Sequence, residues 1–410
     1  MKRISVDKIH PGMTLAKDVL NRDGRRLLPG NCRLTPKEIR ILKMWGISEI
    51  LVTDEDTAFS SEPQSPPVRN QDAAEKHMAA WFEQNDLNNP VIRVIYDICM
   101  ERFLNGRFEP PNIFGDTARP APGSDGSKSQ SAAQVKQLLT TDLKLPSLPT
   151  IFSEINEAVK NPKCSGKDIA DIVSKDPSLS ARLLKIVNSA YYGLSEKVES
   201  LNYAAMALGT RQVSSLALGI TVVNYFKGIT NPKINMEAFW HHSVASGIAA
   251  KTLAARMSGV VADRVFIGGL LHDIGWLIFL NSIPDECNLV FQKAKLLGLN
   301  VFQIEKKFFG MTHADFGSEL ATAWNFSEPI TALIRHHHDP FKKKPPKEIA
   351  LVHFANWFID AIGIGFSGDR TIPRLNMNAW NALEIPDSVL APTVKQIDRQ
   401  MLETIKFFYE

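Results

Sequence analysis

Long unbroken apolar stretches are missing: no run of about eighteen or more consecutive apolar residues, the length a membrane-crossing helix needs, occurs in the chain. The first ten residues, Met1-Lys2-Arg3-Ile4-Ser5-Val6-Asp7-Lys8-Ile9-His10, lack the apolar core and small-residue cleavage site of a secretory leader. These absences predict a cytoplasmic protein, neither secreted nor membrane-spanning. Cysteine is scarce, with four in 410 residues. Cys32, Cys99, Cys164 and Cys287 lie far apart without a Cys-x-x-Cys pair, so they read as ordinary reduced thiols. Neither sign of charge dominates, because 47 basic side chains against 44 acidic ones leave a net charge of +3, too little to point to nucleic acid. The densest basic cluster, Lys342-Lys343-Lys344 before Pro345-Pro346-Lys347, reads as a solvated loop rather than a phosphate contact.

With 44% hydrophobic and 22% charged side chains the chain can bury real cores, and its length predicts two or three domains. Residues 1–55 read as a small α+β module. β-Branched segments around Ile4 to Val6 and Ile50 to Val52 flank the turn pairs Pro11-Gly12 and Asp23-Gly24. Between them a helix should start at Thr35-Pro36-Lys37-Glu38, where Thr35 caps, Pro36 suits the first turn and Glu38 closes a capping box, and Gly46 should stop it. Residues 56–134 read as a linker carrying a helical patch from about Ala73 to Phe103, set between two loose stretches rich in Ser, Pro and other turn-forming residues.

From residue 135 to 362 the pattern is continuously helical. Ile151, Ile155 and Val159 share one face, Ser165 with Asp168 can begin the next helix, and Asp176-Pro177 starts another whose inner side holds Leu179, Leu183, Leu184 and Val187. Gly193, Gly209 and Gly298 fall where helices should end. Residues 363–410 form a C-terminal helical extension: 363–386 show no clear periodicity, and Val394, Ile397, Met401, Ile405 and Phe408 mark the inner face of a last helix. The fold class that follows is mainly α, an all-helical domain behind a small α+β module.

Histidine is unevenly spread. Six of the ten lie in three clusters within this helical region, His241-His242, His272-Asp273 and His336-His337-His338, with His313 isolated between the last two. A divalent ion that acts on phosphate esters needs imidazole nitrogens and a carboxylate converging on one site. That mixture suits Fe, Mn, Zn or similar ions, which polarise phosphate and acidify bound water. Because neighbours on a helix diverge by about 100°, His272 and Asp273 reach one ion only if their turn is buried between partner helices. Each residue also has a plainer reading: His272-Asp273 as a helix-end pair satisfied locally, His242 as a core histidine bonded to a carbonyl, and His313 as a cap competing with Thr312. His241 and His336 read as exposed neighbours, and Asn188-Ser189-Ala190-Tyr191-Tyr192-Gly193 as a helix stop with packing tyrosines.

The ordered series Leu145-Pro146-Ser147-Leu148-Pro149, Asp176-Pro177-Ser178-Leu179, Asn188-Ser189-Ala190-Tyr191-Tyr192-Gly193, Trp240-His241-His242-Ser243, Gly268-Gly269-Leu270-Leu271-His272-Asp273-Ile274-Gly275, His313-Ala314-Asp315-Phe316-Gly317 and His337-His338-Asp339-Pro340 resembles the HDOD family of bacterial signalling proteins. It spans Lys136 to Asp360. The resemblance implies an HD-like helical domain related to HD and HD-GYP phosphohydrolases but serving as a signalling output or scaffold. It places His242, His272, Asp273, His313, His337 and His338 at ligand-like positions for a divalent metal, or in a decayed site without one. His10-Pro11-Gly12-Met13, Leu27-Leu28, Leu34-Thr35, Leu42 and Trp45-Gly46-Ile47 resemble the small module that precedes the catalytic part of HD-GYP proteins, which implies a regulatory role.

Two departures weaken a hydrolytic two-metal centre. HD-GYP proteins carry a lysine directly after His-Asp-Ile-Gly, and this chain has Trp276; the final aspartate of the HD pattern is replaced by Asn356, a neutral and weaker ligand. The expectation is a non-catalytic or weakly catalytic signalling protein whose output is contact with other signalling proteins, biased by a bound metal or a nucleotide ligand. The alternative is a metal-dependent phosphohydrolase acting on a cyclic dinucleotide or nucleotide, with Asp273 essential. Nucleic-acid binding ranks last because the charge is nearly balanced.

Overall fold

A computed structural model of the chain describes residues 2–5, 13–20, 26–30, 32–34, 42, 49–53, 71–108, 148–189, 192, 194, 196–226, 235–341, 343–365 and 371–409. The chain divides into two compact units, Met1–Val68 and Arg69–Glu410.

In the first unit the described strands are β1 (Lys2–Ser5), β2 (Val19–Leu20), β3 (Arg26–Leu28) and β4 (Glu49–Val52). β1 and β4 pair antiparallel with Ile4 opposite Ile50, and β2 pairs with β3 with Val19 opposite Leu28. Leu15, Val19, Leu28, Leu34, Leu42, Ile50 and Val52 meet in one small core. The helix expected from Thr35 to Gly46 lies outside the described residues apart from Leu42, as do both expected turn pairs.

The second unit is mainly α-helical and HD-like. Its helices are α1 (Gln71–Trp81), α2 (Pro90–Leu104), α3 (Thr150–Lys160), α4 (Gly166–Val173), α5 (Pro177–Val187), α6 (Leu201–Leu208), α7 (Thr210–Phe226), α8 (Met236–Ala254), α9 (Ala262–Leu271), α10 (Ile274–Ser282), α11 (Pro284–Leu297), α12 (Val301–Phe309), α13 (His313–Ala323), α14 (Glu328–His336), α15 (Lys347–Ala361), α16 (Met377–Leu383) and α17 (Leu390–Tyr409). Local chemistry sets many of their ends. Ser165 and Asp168 form a reciprocal capping box before α4, and the Asp176 carboxylate accepts from the Ser178 and Leu179 amides before α5. Gly209 at φ 90° closes α6 and Gly298 at φ 62° closes α11, backbone conformations that glycine reaches without strain. Asn188, at the end of α5, donates to the Val198 carbonyl at 2.7 Å and accepts from the Val198 amide at 2.7 Å, which ties the following loop down as a packing element. Ala190, Tyr191, Gly193, and the side chains of Ile405 and Phe408, lie outside the described residues.

The helical patch read from sequence as part of a linker packs into the second unit's core through the buried Met78, Trp81, Ile95 and Cys99. The Trp81 indole and Cys99 thiol donate to the Ala361 carbonyl at 3.2 and 3.0 Å, and Arg102 Nε donates to the Ile362 carbonyl at 2.9 Å. These groups satisfy carbonyls at the end of α15 that no helical amide can reach. Arg102 also pairs with Asp398 of α17 at 2.7 Å.

The stretch Ala262–Ser282, covering α9 and α10, is long and apolar enough to cross a membrane, but 89% of its most apolar window is buried inside the fold. Its neighbours come unusually close. A Cβ on Gly269 of α9 would lie 2.8 Å from the Gly247 Cα of α8, and one on Gly275 of α10 would overlap the His313 carbonyl oxygen of α13. Glycine at these two contacts lets the helices that carry the histidines approach one another.

Candidate metal centre

The α9–α10 stretch changes direction at its polar pair. His272 retains helical angles, whereas Asp273, at φ −95° and ψ 10°, steps out of the helical region and begins α10. That step, rather than a continuous helix, frees the Asp273 carboxylate to point where the His272 imidazole points. Asp273 Oδ2 lies 3.2 Å from His272 Nε2 and 3.9 Å from His242 Nε2. Asp273 Oδ1 lies 3.2 Å from His313 Nε2 and 3.4 Å from His337 Nε2. The carboxylate therefore stands between two histidine groups, one from α8 and α9, the other from α13 and the end of α14.

The rings face each other through the same nitrogen. His242 and His272 bring Nε2 atoms to 3.2 Å, His313 and His337 to 3.2 Å, and His313 and His338 to 3.1 Å. All six residues named from the sequence are thus brought together: ligand atoms of Asp273, His313, His337 and His338, and of His242, His272 and Asp273, lie within 4.8 Å of one another in each group. His241, 32% exposed and 3.7 Å from Glu237, points away, and His336 packs against Phe341 at 4.5 Å between ring centroids, outside the cluster.

The far nitrogens are held. His272 Nδ1 lies 2.7 Å from the Gly269 carbonyl and His337 Nδ1 lies 2.7 Å from the Ile334 carbonyl. A carbonyl only accepts, so each Nδ1 carries the hydrogen, and the ring's Nε2, which faces inward, is the nitrogen left to bind an ion. Lone pairs at 3.2 Å repel unless a positive charge lies between them. Donor atoms around one ion with bonds of about 2.1 Å stand about 3.0–3.4 Å apart, which matches most of the distances here. The residues present therefore fit a divalent ion, and this buried His/Asp group is able to hold one.

In the metal-free chain the buried charges act differently on each member of the cluster. Burial alone would raise the Asp273 carboxyl, but His272, His313 and His337 outweigh it and hold it well below the usual carboxylate range. Burial and the neighbouring His272 keep His242 neutral, at about 4, and burial chiefly lowers His337 to about 3. His313 moves the other way. Although burial opposes it, the carboxylates of Glu305 and Asp273 push it up to about 10.

Sequence reasoning missed three supporting groups. Glu305 of α12 is fully buried and accepts from His313 Nδ1 at 2.7 Å and from the His313 amide at 3.1 Å. Asp360 of α15 faces His242 Nδ1 at 3.2 Å, and His353 donates from Nδ1 to the His337 carbonyl at 2.7 Å. Carboxylates and carbonyls behind ligand imidazoles fix ring orientation and raise basicity, yet nothing in local spacing marks these residues. Asn356, read as the replaced aspartate, does reach the cluster, with Oδ1 2.8 Å from His242 Nε2. Trp276 stacks on His313 with centroids 5.4 Å apart and on Phe291 at 4.9 Å, so it fills core space beside the centre.

A mainly helical HD-like fold with a buried His/Asp group defines the class. Residues 145–340, just under half of the chain, match the HDOD domain family, which assigns that segment to an HDOD domain. A solved HDOD domain protein of unknown function from Geobacter sulfurreducens is 25% identical, covers 68% of this chain and 97% of its own, and superposes with a TM-score of 0.56. Two more distant structures share the fold: a candidate phosphohydrolase from Shewanella amazonensis (22% identity, 67% of this chain and 98% of that one, TM-score 0.54) and a candidate signal-transduction protein from Marinobacter aquaeolei (17%, 100% and 96%, TM-score 0.52). An uncharacterised protein of Treponema pallidum (strain Nichols) is 28% identical over 236 residues, 56% of this chain. The match spans 45% of that relative's length, less than half.

Proposed function

We propose that the protein is a metal-holding signalling scaffold that does not turn over substrate, and that it acts in the cytoplasm through contacts with other signalling proteins. The observation that carries this reading is closure: His242, His272 and His337 are 0% exposed, His313 2% and Asp273 3%. Metal sites that work on substrates keep a coordination position open to them, whereas structural sites are closed. Trp276 over His313, in the position where HD-GYP proteins carry a lysine, adds apolar wall where a phosphate would need a cation. The test is metal analysis of the purified chain followed by assay over cyclic dinucleotides and nucleotides. Bound Fe, Mn or Zn without turnover supports the reading; turnover that disappears in Asp273→Ala overturns it.

A metal-dependent phosphohydrolase is the second reading. It is favoured by the position of Asp273 between two histidine groups, an arrangement in which two ions could clamp the attacking and leaving oxygens of a phosphate ester. His338 is only partly buried, which gives this side of the centre its nearest approach to solvent.

A further inference from the structure

The two sides of the centre are not equivalent in donors or in charge. On one side Asp273 Oδ1 meets the imidazoles of His313 and His337, His338 joins the same group of ligand atoms, and Glu305 stands fully buried behind His313. On the other side Asp273 Oδ2 meets two imidazoles, His242 and His272, and the fourth donor within reach is the neutral amide oxygen of Asn356. We propose that the chain holds one divalent ion tightly, on Asp273, His313, His337 and His338, and that the side formed by His242, His272, Asp273 and Asn356 takes a second ion only weakly. This rests on the metal-holding reading above and adds to it which residues do the holding and how many ions they hold.

Charge balance carries the argument. Asp273 is 3% exposed and Glu305 0% exposed, and together they bring two negative charges into the core. One dication cancels them. A second would leave an uncompensated positive charge in a closed interior, which is strongly unfavourable. The remaining carboxylate nearby, Asp360, is 12% exposed and lies against the far nitrogen of His242, behind the ring rather than among the inward-facing donors. A carboxylate at position 356 would supply the missing negative charge beside the inward nitrogen of His242, where Asn356 now supplies none. Tightness is therefore shifted away from the His-Asp dipeptide's own imidazole and toward the histidines of α13 and the end of α14.

The test titrates the full chain, stripped with a chelator, with cobalt(II) and with zinc(II), following uptake by calorimetry and by elemental analysis after gel filtration. One equivalent should bind tightly and a second at least about 100-fold more weakly, the upper range by which loss of support around a metal changes affinity. Asn356→Asp should take up two equivalents. His338→Ala should lose first-ion affinity by at least about 100-fold, and His242→Ala by less than about tenfold. Should His338→Ala fail to fold, the cobalt(II) visible spectrum decides. At one equivalent, wild type and His242→Ala should give the same spectrum, because the first ion lies on the side away from His242; a spectrum already altered at the first equivalent overturns the proposal. Two ions of equal affinity in the wild type overturn the inequality while leaving a metal-holding scaffold. Uptake of none overturns both.

Discussion

Replacing Asp273 by asparagine should remove most of the thermal stabilisation that a divalent ion confers. The substitution preserves shape and deletes the charge that faces His272 at 3.2 Å, His313 at 3.2 Å and His337 at 3.4 Å. An ion at a thousand times its dissociation constant stabilises the folded chain by about 4 kcal/mol. Unfolding entropy of about 2.1 cal/mol/K per residue, over the roughly 340 residues from Arg69 to Glu410, comes to about 0.7 kcal/mol/K. The ion should then raise Tm by about 6 °C. If the variant binds about 100-fold more weakly, the same ion concentration stabilises it by about 1.4 kcal/mol and the rise falls to about 2 °C. Scanning calorimetry of both proteins, each with chelator and with ion, measures the two rises, and comparing rises cancels whatever the substitution does to the ion-free chain. An undiminished rise in Asp273→Asn would refute the placement of this carboxylate at the heart of the centre.

Arg102→Met should destabilise the second unit by about 3 kcal/mol, because it abandons the Ile362 carbonyl and leaves Asp398 without its partner; urea unfolding reads this, and a change near zero would show that the helical patch is only loosely attached. Gly275→Ala should cost about 1–3 kcal/mol and weaken metal uptake, since its methyl must push α10 away from the His313 carbonyl; unchanged uptake at full folding would contradict the close approach. The metal-free chain should lose stability in acid. His242, His337 and His353 are lowered to about 4, 3 and 4, chiefly by burial, against about 6.5 when unfolded. Their contribution is therefore present above about pH 6.5 and is lost as pH falls toward 4, at up to about 1.4 kcal/mol per pH unit for each group. His313, raised to about 10, behaves oppositely and is lost on the alkaline side. Urea midpoints that stay level from pH 7 to pH 4.5 would sink the acid prediction.

Helix ends were legible because capping is a matter of three or four residues. Ser165 with Asp168, Asp176 before Pro177, and Thr312, whose hydroxyl accepts from the Asp315 amide at 3.1 Å, all act within one turn. Thr312 takes the cap position, which leaves His313, the first residue of α13, free to turn its ring toward Asp273. Docking of the patch formed by α1 and α2 was not legible. The contact between Arg102 and Ile362 joins positions 260 apart, and flanking stretches rich in turn-forming residues resemble linkers whatever the intervening helices touch.

By itself the amino-acid sequence determined most of the helical segments (Met377–Leu383 excepted), where many of them stop, and which imidazoles and which carboxylate are available, because periodicity, capping and residue type are local properties. Only the tertiary structure decided that Asp273 breaks its helix to stand between two histidine groups, that Glu305 and Asp360 back them, and that the centre is buried apart from the partly exposed His338. Those facts depend on helices meeting at glycine contacts, and the pull of one buried charge on another acts across space without regard to order along the chain.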